Sequence, residues 1–185
     1  MISLGRLIMP TANGYNEEAL RGCEGGRMVK GPGRPTADWL ESVQQVIGNM
    51  PFLRWLGVQV VDLQPGHSQV RLPVRPEMLQ VAGLLHGGIV ASLIDVASAL
   101  AVFSAMSAWT EIRTLEMKVN YFRPIRGGAV QAHARLVHLG KRTAVTVCHV
   151  WGEGDTLCAL GVATFLRLGD SPADEPTGGD RPTLP

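Results

Sequence analysis

Residues 83–95 read Gly-Leu-Leu-His-Gly-Gly-Ile-Val-Ala-Ser-Leu-Ile-Asp and lead into a long apolar run, Gly87 to Ala108, in which Asp95 is the single charge. A run of more than about 18 apolar residues is long enough to cross a membrane. A carboxylate near the middle of such a span costs about 2.5–3.5 kcal/mol on insertion scales, which argues against that interpretation. A helix that is apolar all round can equally be the buried centre of a soluble domain. We therefore expect a core helix and no membrane span.

Strand patterns flank this run on both sides. Before it, Val70, Leu72 and Val74 alternate with polar residues, which is the period of a half-buried strand. The turn composition of residues 64–67 joins this strand to the preceding one as a hairpin. The predicted strands are Gly57–Leu63, Ser68–Val74, Glu111–Phe122, Ala129–Leu139, Thr143–Trp151 and Thr156–Leu168. Because the helix interrupts the strands instead of alternating with them, we predict an α+β fold: an antiparallel sheet of five to six strands around one long central helix.

The composition divides the chain into three parts. Gly and Pro are about twice as dense in residues 1–36 and 169–185 as between them, so only the middle can bury a core. We predict a flexible N-terminal extension (1–36), one domain (37–168) and a disordered acidic tail (169–185). A short amphipathic helix at 37–50, capped by Asp38 and Glu41, leads the domain and ends at Pro51.

Charge, cysteines and histidines exclude several classes of protein. The formal net charge is +1, and no basic block is dense enough to neutralise a nucleic-acid backbone, so no nucleic-acid partner is expected. Three scattered cysteines predict neither a disulfide framework nor a zinc site, and the histidines outside the His-Gly-Gly stretch lack ligand spacing, so no metal is expected. The first ten residues lack the apolar core of a secretory signal, which predicts a cytoplasmic protein.

The strand predicted at Thr143–Trp151 is apolar on both faces. Its two sets of apolar side chains are Val145, Val147 and Trp151 on one face and Ala144, Cys148 and Val150 on the other. One helix covers only one face of a sheet. The second face is therefore expected to pack on another subunit or to form an exposed patch that needs a partner.

The motif that carries chemistry is His86-Gly87-Gly88 at the start of the helix. Paired glycines expose backbone N–H groups where the helix dipole already supplies partial positive charge. Such a site binds an anion or stabilises an oxyanion, although the same residues could form merely a tight turn with His86 as its cap. Asp95 lies in a stripe of small residues on this helix, and a carboxylate there must be hydrogen-bonded, paired or kept for chemistry. The stripe of bulky residues predicted to face the core is Ile89, Leu93, Val96, Leu100 and Phe103.

Several motifs occur together and in a definite order. They are Gln80, Leu85-His86-Gly87-Gly88, Leu93-Ile94-Asp95, Thr114, Val119-Asn120-Tyr121-Phe122-Arg123-Pro124 with Gly127, and Gly140-Lys141-Arg142-Thr143. This combination resembles the hotdog-fold acyl-CoA thioesterases of the phenylacetate-pathway (PaaI-like) group. The resemblance covers about residues 50–168, which is nearly all of the predicted domain.

The resemblance implies a role for each matching residue. Gly87 is the oxyanion-hole glycine, Asp95 the catalytic carboxylate and Gln80 the amide side chain near the thioester. His86 orients the site, and Thr114 helps to hold the carboxylate or the attacking water. The positions implied to contact coenzyme A are Gly88, Arg123, Pro124, Lys141 and Arg142. Coenzyme A is part of the substrate, and no separate cofactor is expected.

The spacing of two of these residues predicts an oligomer. Gly87 and Asp95 lie eight residues apart on one helix, about 12 Å along its axis, so they cannot both touch one thioester carbon. If both act, they come from different subunits. This favours a homodimer with active sites at the subunit interface, and the resemblance implies that two such dimers often form a homotetramer.

Thr114 does not fit a regular strand. Strict alternation in Glu111–Phe122 turns Leu115, Met117, Val119 and Tyr121 toward the helix and Thr114 away from it. A bulge, or access from the partner subunit, would restore Thr114 to the site.

The predicted function is hydrolysis of an aryl- or medium-chain acyl-CoA to the free acid and coenzyme A. Asp95 acts either as general base on water or as nucleophile. The alternatives are a hotdog-fold enoyl-CoA hydratase or dehydratase that uses His86 with Asp95, and a non-catalytic acyl-CoA-binding protein. The apolar residues considered for the acyl pocket are Trp55, Leu56, Leu84 and Phe103.

Overall fold

The computed structural model describes residues 43, 45–106 and 111–168. Its main elements are α1 (Pro51–Leu56), β1 (Gln59–Gln64), β2 (His67–Pro73), α2 (Gly87–Ser104), β3 (Glu111–Tyr121), β4 (Ala129–Leu139), β5 (Thr143–Trp151) and β6 (Leu157–Leu168). The strands form one antiparallel sheet in the order β1-β2-β4-β5-β6-β3, and α2 packs against it. The predicted α+β fold is confirmed, and every predicted strand agrees with its observed bounds to within two residues. The strands β1 and β3 form the two edges of the sheet.

The segment before the sheet differs from the prediction. Residues 45–49 are helical, whereas Asp38 and Glu41 lie outside the described residues. Pro51 does follow this helix, but it also occupies the first turn of α1, which the sequence analysis missed. Proline is compatible with that position because the first-turn N–H groups have no intrahelical partner. The prediction of a single helix ended by Pro51 was therefore incomplete.

The C-terminus of α1 is held by a residue from beyond β2. The chain leaves α1 through Gly57, whose φ of +76° favours glycine. The guanidinium of Arg75 donates to the carbonyl oxygens of Trp55 and Leu56, a favourable place for a cation. Leu56 is fully buried, so α1 is fixed to the domain at this end.

The buried face of α2 is rotated from the predicted stripe. Leu93 and Leu100 are buried as expected, but Ile89, Val96 and Phe103 are only half-buried. The side chains of α2 that are buried are Val90, Leu93, Ile94, Ala97, Ser98, Leu100, Ala101, Val102 and Ser104. Small residues at the centre of this face allow the helix to lie close to the sheet. The helix is long and apolar enough to span a membrane, with a mean hydropathy of 1.8, but half of it is buried inside the domain.

Gly161 sets the distance between α2 and β6. A Cβ atom at this position would lie 2.5 Å from Cγ2 of Ile94, closer than two carbon atoms can approach. We expect Gly161→Ala to lower the free energy of unfolding by about 1–3 kcal/mol, because the helix or Ile94 must shift in a closely packed core.

Chemical denaturation of the two proteins measures this difference. Gly127→Ala is the matched control, since a Cβ at Gly127 meets nothing within 4 Å. Equal stability of the Gly161→Ala and Gly127→Ala variants would show that the close approach is not needed.

The two faces of β5 alternate in burial as its sequence suggests. Ala144, Cys148 and Val150 are buried beneath α2, while the side chains of the opposite face are half-buried. On that outer face the rings of His149 and Trp151 stack with centroids 6.4 Å apart. Burial lowers the pKa of His149 and of His133, its neighbour on β4, which favours their neutral forms. Packing of this face on another subunit remains a prediction.

Candidate active site

The first turn of α2 has one free backbone donor. His86 is the N-cap residue, with φ −63° and ψ 134°, and its Nδ1 accepts a hydrogen bond of 3.0 Å from the N–H of Gly88. The N–H of Gly87 donates to no described residue. The expectation that both glycines expose their N–H groups is therefore corrected, since only Gly87 is free to bind an anion. Its N–H lies at the positive end of the helix dipole.

Gly87 also lines a cavity of about 300 Å³. Its walls are the start of α2, the loop before it, the end of β3 with the residues that follow, and the start of β6. The lining residues are Gln80, Leu84, Leu85, Gly87, Val90, Tyr121, Phe122, Arg123, Pro124, Ile125, Cys158 and Ala159. The structure thus brings four predicted site residues together, Gln80, Gly87, Arg123 and Pro124.

The apolar pocket candidates are divided by the structure. Leu84 lines the cavity, but Leu56 is fully buried in the main core, and Phe103 packs against a second buried cluster that includes Val102 and Phe165. Trp55 is about half exposed, and the guanidinium of Arg75 lies 5.7 Å from the centre of its ring. Trp55, Leu56 and Phe103 therefore do not line this cavity.

A tight loop holds Gln80 at the cavity wall. The N–H of Gln80 donates to the carbonyl oxygen of Leu84, and the N–H of Gly83 donates to the carbonyl oxygen of Gln80, both at 2.8 Å. Gly83 has a φ of +70°, which the turn requires and which glycine adopts without strain. The side-chain amide of Gln80 makes no hydrogen bond to a described residue, so it is available to a molecule in the cavity.

Thr114 contacts Asp95, and a β-bulge explains how. Its Oγ1 donates a hydrogen bond of 2.8 Å to Oδ1 of Asp95. In the pairing of β3 with β6, Thr114 lies opposite Phe165 and Glu116 opposite Thr164, so Leu115 is an extra residue. The predicted orientation of Leu115 toward the helix was wrong: its side chain is 57% exposed. The bulge that would restore Thr114 to the site is confirmed.

Asp95 is separated from the cavity within one chain. Its carboxylate is half-buried and does not line the cavity around Gly87. The two residues are eight positions apart on α2, about 12 Å at 1.5 Å per residue. One protomer therefore holds an anion site and a carboxylate that cannot act on the same atom.

The residues implied to contact coenzyme A through the cavity and through the β4–β5 turn lie at opposite ends of the sheet. Arg123 and Pro124 line the cavity, and Nη1 of Arg123 donates to the carbonyl oxygen of Leu157 at 3.1 Å. Lys141 and Arg142 occupy the turn between β4 and β5, at the far end of β4. An eleven-residue strand at about 3.3 Å per residue places their backbones about 30 Å from the start of β4. Lys141 and Arg142 do not line the cavity that Arg123 lines.

Tyr121 is a site residue that the sequence analysis missed. Its hydroxyl donates a hydrogen bond of 3.0 Å to the carbonyl oxygen of Gly87, and its ring lines the cavity. Phe122 lines the same cavity. Alternation along β3 turns Tyr121 toward the helix, but it does not predict this contact, which depends on how β3 approaches the first turn of α2.

The described residues offer neither a reactive thiol at Cys148 nor a metal-binding cluster. Burial raises the pKa of the Cys148 thiol to about 12, which keeps it protonated and unreactive. No cluster of three or more His, Cys, Asp or Glu side chains that could hold a metal lies within residues 45–106 and 111–168.

Comparisons with known proteins show which family this chain resembles. Residues 82–159 match the family model described as "Thioesterase superfamily". A Halobacterium salinarum protein provisionally named an esterase is 34% identical over 119 residues, which cover 62% of this chain and 78% of that protein. The structure of a conserved Pseudomonas aeruginosa protein is similar with a TM-score of 0.62 and 34% identity, covering 67% of this chain and 98% of that one.

A third similarity concerns the phenylacetic acid degradation protein PaaI of Thermus thermophilus, solved as a single-residue variant. Its TM-score is 0.59 and its identity 37%, over 64% of this chain and 99% of that protein. The residues of this chain that the family model matches include the first turn of α2 and Asp95.

Proposed function

The chain belongs to the thioesterase superfamily and has its hotdog fold, and from this premise we propose that it is an acyl-CoA thioesterase. It would hydrolyse an aryl- or medium-chain acyl-CoA to the free acid and coenzyme A. The observation that carries the proposal is the N–H of Gly87 at the start of α2, which donates to no described residue and belongs to a residue that lines one cavity with Gln80 and Arg123. Coenzyme A is part of the substrate, and the reaction needs no separate cofactor.

The Gly87 N–H is suited to the thioester oxygen. As water or a carboxylate adds to the carbonyl carbon, the oxygen gains negative charge. A backbone donor at a helix N-terminus stabilises that charge without having to reorganise. The amide of Gln80, on the same cavity wall, adds polarity near the carbonyl or the sulfur.

Asp95 acts as the general base or the nucleophile. Thr114 donates to one carboxylate oxygen, which orients the group and leaves the other oxygen for chemistry. In one route Asp95 takes a proton from water and the hydroxide adds to the carbonyl carbon. The C–S bond then breaks, and protonated Asp95 gives that proton to the leaving thiolate. In the other, the carboxylate attacks, the thiolate leaves, and water hydrolyses the resulting anhydride. Both routes use the same residues.

The complete site requires two chains. Because β3 is an edge strand, its free side can pair with β3 of a second copy around a two-fold axis. Antiparallel pairing places the Thr114 end of one strand beside the Tyr121 end of the other. Thr114 holds Asp95 and Tyr121 contacts Gly87, so each carboxylate then approaches the partner's Gly87.

The contacts to coenzyme A follow from this arrangement. Arg123 and Pro124 stand at the cavity and are the positions expected to meet the coenzyme A end of the substrate first. Lys141 and Arg142 can reach the same molecule only from another subunit. Assembly of two such dimers into a homotetramer, and a cytoplasmic location, remain part of the proposal.

Release of free thiol from a panel of acyl-CoA esters tests the function. The panel contains arylacetyl, benzoyl, short-chain, medium-chain and long-chain esters, and we expect hydrolysis to be fastest for an aryl or medium-chain member. A change in enoyl absorbance without thiol release would instead identify a hydratase that uses His86. Binding of esters without hydrolysis of any would identify a non-catalytic binding protein.

Thr114→Val tests how Asp95 is held. Valine keeps the shape of threonine but removes the hydroxyl, so the carboxylate loses its donor. We expect kcat to fall about tenfold, the equivalent of one hydrogen bond to a charged group, with little change in stability at this exposed position. Thr114→Ser keeps the hydroxyl and is expected to keep most of the activity. Equal rates for the two variants would remove Thr114 from the site.

A further inference from the structure

The peptide group between Gly87 and Gly88 is held at both of its ends. Its carbonyl oxygen accepts a hydrogen bond of 3.0 Å from the Tyr121 hydroxyl, and its N–H donates one of 3.0 Å to Nδ1 of His86. We propose that Tyr121 is a positioning residue that, together with His86, fixes this peptide and thereby aims the neighbouring Gly87 N–H into the cavity. This inference rests on the proposed function of Gly87 as the oxyanion donor.

The preceding peptide, between His86 and Gly87, carries the donor itself. Its carbonyl oxygen accepts from the N–H groups of Ile89 and Val90, at 2.9 and 3.4 Å. Because a trans peptide is planar, its N–H points opposite to its carbonyl, so these bonds restrain the direction of the Gly87 N–H in part. The N–H of His86 is also used, donating to Met78 at 2.9 Å.

The remaining freedom lies at the α-carbon of Gly87. Glycine rotates about φ and ψ more freely than any other residue, and two adjacent glycines make the first turn easy to distort. A donor for a developing oxyanion must stay within about 0.5 Å and 10–20° of the productive geometry. Holding the Gly87–Gly88 peptide by two side chains removes the rotation that the glycines would otherwise allow.

The bulge at Leu115 makes this arrangement possible. Thr114 and Tyr121 are seven positions apart, and an odd spacing puts two residues on opposite faces of a regular strand. The one extra residue brings both side chains to the face that meets α2. One edge strand therefore positions both reactive groups, Asp95 through Thr114 and Gly87 through Tyr121.

The test begins with Tyr121→Phe, which removes the hydroxyl and keeps the ring on the cavity wall. Loss of one positioning hydrogen bond is expected to lower kcat and kcat/KM together by about three- to tenfold. KM is expected to stay unchanged, because the ring that contacts the substrate remains. A change in KM alone would show that Tyr121 only lines the pocket, which would contradict the inference. Unchanged kinetics would contradict it as well.

A double-mutant cycle with His86→Ala tests the shared peptide. If both side chains hold one peptide group, releasing one end already frees it, and the double variant loses less than the product of the two single losses. Phe122→Leu serves as the control, since Phe122 lines the cavity without such a hydrogen bond, and its effect is expected to multiply with that of His86→Ala. Simple multiplication for Tyr121→Phe as well would show that the two residues act independently.

Amide hydrogen exchange separates this inference from the proposed function. In Tyr121→Phe the Gly88 amide is expected to exchange faster by NMR, whether or not the substrate is an acyl-CoA. Unchanged exchange at Gly88 would contradict the positioning role of Tyr121 and leave the proposed function standing. Wild-type protein that hydrolyses no acyl-CoA, with exchange at Gly88 accelerated in the variant, would contradict the function alone.

Discussion

Asp95→Asn is expected to lower kcat for thioester hydrolysis by about 10²–10⁴-fold, the range that a positioned general base contributes. The amide has nearly the same shape as the carboxylate but can neither take a proton from water nor attack the carbonyl carbon. Both proposed routes therefore fail in this variant. Steady-state thiol release with the best ester of the panel measures the loss.

The fold is expected to survive this substitution. Asp95 is half-buried, and the Thr114 hydroxyl can donate to the amide oxygen as it does to the carboxylate. Asp62→Asn is the matched control, because Asp62 is exposed on the edge strand β1 and its side chain accepts a hydrogen bond from Gln64. We expect that variant to keep the wild-type rate. A wild-type kcat in Asp95→Asn would remove Asp95 from the mechanism.

Gly87→Pro is expected to lower kcat by about 10²–10³-fold, as the loss of one oxyanion donor does in other enzymes. Proline has no N–H, so this substitution deletes the proposed donor itself. The kcat and kcat/KM values are expected to fall together, because the donor acts on charge that develops only in the transition state.

The backbone at this position accepts proline. Gly87 is the first residue of α2, where proline is favoured, and His86 has the extended conformation that a residue before proline requires. Gly87→Ala is the matched control: it keeps the N–H, and its Cβ would lie 3.5 Å from the Tyr121 ring, an ordinary contact. Equal rates for the alanine and proline variants would show that the N–H of Gly87 is not the oxyanion donor.

The fold could be predicted because its signals are local. They are carried by neighbouring residues: alternation in β2, turn residues at 64–67 and a continuous apolar run in α2. The structure confirms all three. The segment around Pro51 could not be resolved in the same way, since proline both follows one helix and begins another. The buried face of α2 brings Ile94 against Gly161, which lies far along the chain on β6, and no local pattern predicts that contact.

The site was predicted in part for a related reason. The sequence offers Gly87 and Asp95 as the candidate donor and carboxylate, and the structure brings Gln80 and Arg123 to one cavity with Gly87. The orientation of Thr114 depends on a bulge that alternation cannot reveal. Alternation does turn Tyr121 toward the helix, but it does not predict the hydrogen bond of Tyr121 to Gly87. The distance of Lys141 and Arg142 from the cavity follows from the length of β4.

The central claim is that one active site needs Gly87 of one chain and Asp95 of another. Co-expression of the inactive Asp95→Asn and Gly87→Pro chains tests it directly, because random assembly combines an intact Gly87 with a partner's intact Asp95 at some sites. With two chains per site, about a quarter of the sites are complete, so about a quarter of the wild-type activity is expected to return. If the mixed protein is as inactive as either variant alone, each site belongs to a single chain and the claim is wrong.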